Sequence, residues 1–164
     1  MAEFLKLFWV RLKISWKNFV EYCNVIRLYY SSPLFRKVDI FLLRHYIANS
    51  PYRICKEYLR KKGEKDVYTY GETPLTTLEK IANEAEICSH DIFFELGSGR
   101  GRSCFWIHCF RKCPVIGIEY VPEFVTIARN VAEHFELKNV SFIYGDILQA
   151  DFTEASVIYF YGTC

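Results

Sequence analysis

Glycines and carboxylates at regular places carry the chemistry open to this sequence. The stretch "ELGSGRG", Glu95 to Gly101, has three glycines at alternate positions and an acid two places before the first. Gly97 and Gly99 can take positive φ and lack a Cβ, so the backbone can come close to a ligand. A helix opening just after such a turn offers free N–H groups and the positive end of its dipole. The dinucleotide fingerprint is G-x-G-x-x-G. Here the spacing is G-x-G-x-G, and Arg102 stands where the third glycine would be. Glu95 would repel a pyrophosphate and attract an ammonium, which points to a ligand with a cationic amino-acid part and away from a nicotinamide dinucleotide. Glu119 follows Gly97 by 22 residues, where an acid accepts hydrogen bonds from ribose hydroxyls. Asp146, after Gly145, stands where a carboxylate can reach an adenine amino group. Any one of the three could be a surface acid; together they mark a nucleoside site. No side chain stands out as a general base.

These residues need a scaffold. "DIFFEL", "PVIGIE", "NVSFIYGD" and "SVIYFYGTC" read as four strands. Between them "RSCFWIHCFRK" and "PEFVTIARNVAEHFEL" read as helices, the latter opened by Pro122, and "ILQADFTEA" as a connection with one helical turn. Alternation of strand and helix implies an α/β fold with a parallel, doubly wound, Rossmann-like sheet. In such a sheet ligands bind outside the carboxyl ends of the strands, where the strand order reverses. Glu95, Glu119 and Asp146 then fall at three successive strand ends. The expected order is 3-2-1-4, with "SVIYFY" at an uncharged apolar edge of the kind that recruits other strands. Ahead of the first strand, Thr73 is placed to cap a helix whose first residue is Pro74, with Leu75, Leu78, Ile81, Ala82 and Ala85 at helical spacing.

The front of the chain differs in kind. Residues 1–65 hold 14 Lys+Arg and 5 Asp+Glu, whereas the remaining 99 hold 7 and 14. Either the front meets an anionic partner, a membrane surface or nucleic acid, or the two halves attract each other. On a helix over residues 3–23, Leu5, Phe8, Trp9, Leu12, Trp16, Phe19 and Val20 share one face and Lys6, Lys13 and Lys17 another. That stripe is expected to dock on the protein's own core, with a membrane as the alternative. "SSP" breaks the pattern, and helices follow over "FRKVDIFLLRHYIA" and "PYRICKEYLRKKG", the second ending at a C′ glycine, Gly63. The expected division is a helical segment, 1–66, and a ligand-binding domain, 67–164. Lys6, Arg11, Lys13 and Lys17 interrupt the apolar N-terminus, which excludes a signal peptide and a spanning helix. Seven cysteines without a C-x-x-C pair fit a reducing, cytoplasmic setting and no metal site.

From Asp91 to Thr163 the sequence resembles the class I (seven-strand) S-adenosylmethionine-dependent methyltransferases. "FFELGSGRG" is similar to their first motif, "VIGIEYVPEFVTIAR" to their second strand with its ribose-binding acid, and "LKNVSFIYGDI" to their adenine-side motif. The resemblance implies S-adenosyl-L-methionine as cofactor. Glu95 would hold its amino group; Gly97, Ser98, Gly99 and Gly101 would line methionine and ribose. Glu119 would bind the ribose hydroxyls with Tyr120 beside the adenine, and Asp146 and Ile147 would flank it. It stops after the fourth strand, so the fold is expected to be C-terminally incomplete. "YTYGETP" ahead of "ELGSGRGR" is similar to the non-SET histone lysine methyltransferases and to the mitochondrial enzymes that methylate a lysine of the ATP synthase ring. That narrower likeness implies a loop, Tyr70 to Thr73, folded over the cofactor, and methyl transfer to a protein lysine. "FYGTC" departs from both the histone-enzyme asparagine and the Asn/Asp-Pro-Pro-aromatic motif of nucleic-acid enzymes. The alternatives are a nucleic-acid or small-molecule methyltransferase, or a cofactor-binding remnant or interaction module without catalysis. Implied partners are a protein substrate, a second copy of the chain, or a separately encoded remainder of the domain.

Overall fold

Phe93, Val115, Val140 and Val157 stand side by side in one parallel register, and that register fixes which side chains share a face. The computed structural model describes residues 2–162. Its sheet has four strands, β1 Phe93–Leu96, β2 Val115–Glu119, β3 Val140–Tyr144 and β4 Val157–Phe160, in the order β3-β2-β1-β4. This is the expected Rossmann-like α/β sheet, preceded by helices. Thr163 and Cys164, which the expected fourth strand included, lie outside the described residues.

Helices α5 (Arg102–Arg111) and α6 (Pro122–His134) pack on the face carrying Phe93, Val115, Val140 and Phe142. On the other face Phe94 and Ile118 are buried, but Ile143, Ile158 and Phe160 are exposed. Among the described residues β4 pairs only with β1, so it forms the expected apolar edge.

Four helices precede the sheet: α1 Ala2–Tyr29, α2 Pro33–His45, α3 Pro51–Lys62 and α4 Leu75–Glu84. Ser32 and Ser50 cap α2 and α3, each followed by a proline at the first helical position. Gly63 ends α3 with φ 78°, as a C′ glycine should. The front helices do not make a core of their own. Val25, Tyr29, Phe35, Val38, Leu42, Ile54 and Cys55 join one cluster with Phe93, Phe105, Trp106 and Val115. A boundary at residue 66 therefore falls in a connecting segment, while the core runs across it.

Two expectations are corrected. Thr73 does not cap α4: its Oγ1 shares a 2.5 Å hydrogen bond with the Tyr159 hydroxyl, and the helix begins at Leu75. The first turn of α4 is served instead by Glu21 of α1, which accepts from the Thr76 N–H at 3.1 Å and the Thr76 hydroxyl at 2.7 Å. The aromatic stripe of α1 does not dock on the core. Val25 and Tyr29 do, and they lie about 160° and 120° round the helix from Leu5 at 100° per residue. Tyr29 is held edge-on to Trp106 at 5.5 Å, with its hydroxyl 2.9 Å from Glu79. These anchors turn the stripe outward.

Among the described residues, the ion pair that joins the basic front to the remainder runs against their net charges: Arg102 of α5 grips buried Asp39 of α2 through two bonds of 2.7 and 2.8 Å.

Candidate functional site

The turn between β1 and α5 carries three glycines at positive φ, Gly97, Gly99 and Gly101. Gly99 has φ +54°, and a Cβ there would come within 3.2 Å of the Tyr70 ring. Gly101 has φ +76°, and a Cβ would lie 2.5 Å from a Phe142 ring carbon. Gly99 thus lets the front loop close on the turn, and Gly101 lets α5 settle on the sheet. Gly101 lies behind the turn, away from the cleft described below.

Two of the three acids meet at this turn. The Glu95 carboxylate is buried and accepts from the Ser103 hydroxyl at 2.5 and 2.6 Å and from the Cys104 thiol at 2.9 Å. Burial pushes its pKa up to about 7, against the pull of those two donors. Glu119 accepts the Gly99 N–H with one oxygen and the Val121 N–H with the other, both at 2.7 Å. Burial raises it too, and these backbone donors restrain the rise. Glu119 therefore staples the glycine turn to the end of β2.

The loop before α4 closes over both. Tyr70 packs on Gly99 and Phe124 and donates to Glu72, and Glu72 forms a 2.6 Å ion pair with buried Arg100 of the glycine turn. Beneath it lies a cleft with two arms that share Gly71, Gly97, Gly99 and Tyr161. The wide arm, about 420 Å³, is lined by Glu119, Tyr120, Phe124 and Tyr70, and by Cys55 and Leu59 of α3. The narrow arm, about 30 Å³, is lined by Glu95, Thr73, Glu72, Arg100 and Ser103. Two side chains that line that arm have a buried polar atom with no hydrogen-bond partner among the described residues, Arg100 Nε and Ser98 Oγ.

Most of the expected residues come together here. Tyr70, Thr73, Glu95, Gly97, Ser98, Gly99, Glu119 and Tyr120 line one arm or both. Ser98 presents backbone, because its hydroxyl turns toward Gly117. Asp146 and Ile147 sit apart, in the short 3₁₀ turn after β3, where the Asp146 carboxylate accepts from the Leu148 N–H at 2.9 Å. They line neither arm. Sequence reasoning missed Arg100, Cys55, Leu59 and Phe124. The basic residue inside the glycine run was the available signal for Arg100; the other three carry none, being apolar or thiol side chains in helices.

Comparison with known proteins agrees with this geometry. Residues 87–158 match the family model described as "Methyltransferase domain". An RNA methyltransferase, otherwise uncharacterized, from Bacteroides thetaiotaomicron is 35% identical over 88 residues, 53% of this chain and 19% of that protein. The crystal structure of an RNA methyltransferase from Salinibacter ruber, in complex with S-adenosyl-L-homocysteine, superposes with TM-score 0.51 at 31% identity. That match covers 56% of this chain and 60% of the other. A protein-L-isoaspartate O-methyltransferase shares the fold at TM-score 0.50 and 20% identity, over 54% of this chain and 29% of its own. The chain thus spans less than two thirds of each. By family model and by fold, residues 87–158 are similar to a methyltransferase domain.

Proposed function

We propose that the cleft binds S-adenosylmethionine and that the chain serves methyl transfer to RNA. The observation that carries the cofactor reading is the narrow arm. It sets a carboxylate, Glu95, near a guanidinium with an unsatisfied N–H, Arg100. That pairing suits the ammonium and carboxylate of an α-amino acid. At the other arm Glu119 would take the ribose hydroxyls, and Tyr120, Phe124 and Leu59 the adenine. When bound, the cofactor supplies an electrophilic methyl on a sulfonium. The chain's own contribution is position. Tyr161 lines both arms and so marks their junction. Aromatic faces there attract a cation and exclude water. Orientation of this kind contributes up to about 7–11 kcal/mol in favourable cases.

RNA as acceptor is supported by the names of the two relatives above 30% identity and by the basic front of the chain. Those relatives replace the lysine methyltransferases as guide to the acceptor. A further cleft beyond the narrow arm, about 230 Å³, is lined by Glu21, Glu72, Tyr22 and Tyr52, but also by Arg100 and Arg102, so it holds no excess of acid for a lysine ammonium.

The test uses methyl-labelled S-adenosylmethionine with the chain and a cell extract. Label that ribonuclease removes and protease spares is the expected result. Label that only protease removes would transfer the reading to protein lysine. Failure to bind S-adenosylhomocysteine would remove both.

A further inference from the structure

Residues 5–20 of α1 stand outside the core. Every described side chain from Leu5 to Val20 is exposed, on a helix whose other end is buried at Val25 and Tyr29. Trp9 is 61% exposed, Trp16 66%, Phe19 58% and Phe8 50%. Such large rings are rarely left in water in an unbroken row. They are not scattered: Leu5, Phe8, Trp9, Leu12, Trp16, Phe19 and Val20 fall within about 60° either side of Leu5 at 100° per residue. At the same spacing Lys6, Lys13 and Lys17 stand about 80–120° to one side, and Arg11 about 120° to the other.

We propose that this half of α1 lies flat on an anionic lipid surface. Charge selects the occupant. Residues 5–20 contain Lys6, Arg11, Lys13 and Lys17 and no acid. A second copy of the chain would bring the same cations against themselves. The acids on or bonded to the C-terminal part of α1 are already engaged, Asp39 with Arg102, Glu79 with Tyr29 and Glu21 with Thr76. The aromatic rings lie on one side with cations on both flanks, as in an interfacial helix, where tryptophan and phenylalanine enter the acyl boundary while lysine and arginine reach the headgroups; Leu7, Val10 and Ile14, also exposed, stand on the far side. A nucleic-acid groove would want cations among the stacking rings, whereas here the stripe itself is free of charge. The anchoring fits as well. Glu21 and Tyr22, which line the cleft beside the narrow arm, lie about 160° and 100° round α1 from Leu5. Lipid on the stripe would leave that cleft in water.

The experiment is sedimentation of the 164-residue chain with vesicles, together with tryptophan emission. One vesicle set is phosphatidylcholine; the other is an equimolar mixture of phosphatidylcholine and phosphatidylglycerol. Trp106 is buried, so a change in emission reports Trp9 and Trp16. The expected result is binding to the mixed vesicles with a blue shift, weakened by salt. Lys13→Gln with Lys17→Gln should weaken partition about 10- to 30-fold. Trp9→Ser with Trp16→Ser should abolish it, with circular dichroism unchanged because neither ring touches the core. The proposal is overturned if neither vesicle set binds, or if both bind equally. It is also overturned if sizing shows an oligomer that the double serine variant dissolves, or if RNA binds the stripe while vesicles do not.

Discussion

The ends of β1 and β2 and the end of β3 carry the same kind of residue and meet different fates. At β1 and β2, Glu95 and Glu119 are buried under α3 and the loop from Asp66 to Thr73. At β3, Asp146 sits in an open turn and turns its carboxylate to its own backbone. Two of the three glycines in the β1 turn follow suit, Gly97 having open space like Gly145. A Cβ on Gly99 or Gly101 would meet an aromatic ring, whereas one on Gly145 would meet nothing within 4 Å. A strand end becomes a binding site when another segment closes it. Here the front helices and their connecting loop close two ends and leave the third.

The contrast is open to attack at several points. The largest effect is expected on stability. Gly101→Ala places a methyl into Phe142 at positive φ, and overpacking with left-handed strain should cost about 2–5 kcal/mol. Gly145→Ala should stay within about 0.5 kcal/mol. Urea denaturation of the two variants compares them, and equal losses would erase the distinction between the strand ends.

Glu95 comes next. Its folded pKa of about 7 stands above its ordinary 4.5, so the folded state holds the extra proton between those values. Stability is therefore full below pH 4.5 and falls as pH rises to about 7, by roughly 3 kcal/mol. Glu95→Gln should lose that fall and exceed the wild type in stability above pH 7. A pH series of melts on both proteins tests this; parallel curves would mean that Glu95 is ionised at no cost.

Ligand affinity gives the smallest effects. Glu119→Ala should weaken S-adenosylhomocysteine about 10- to 100-fold, since hydrogen bonds to a charged group contribute about 1.5–3 kcal/mol. Asp146→Ala should change it by no more than about fivefold, under 1 kcal/mol. If Asp146 proved the more costly, the open turn would have to fold inward on binding.

Much of this was legible in the sequence, for identifiable reasons. Continuous apolar runs bounded by glycine and acid specify buried parallel strands, and so the sheet order followed. Glu95, Gly99 and Glu119 could be placed because their spacing along the chain is set by the strand ends themselves. The cap of α4 was not legible. Thr73 has the right local sequence, but Tyr159 takes its hydroxyl and Glu21, 55 residues from Thr76, serves the helix instead. Nor was the outward stripe of α1, because an amphipathic face does not say which side is anchored. That was decided by Tyr29 and Val25, which continue the same helix on its other side. Arg100 was missed for a related reason: its role depends on Glu72, which lies beyond a whole helix and strand.

The most direct test of the central claim is calorimetric titration of S-adenosylhomocysteine into the 164-residue chain at pH 8 and pH 6. A cleft whose ammonium site is Glu95 must bind one ligand per chain, and more tightly when Glu95 is ionised. The prediction is a single site with affinity about tenfold higher at pH 8, from a free-site pKa of about 7. No binding, or binding of equal strength at the two pH values, would contradict it.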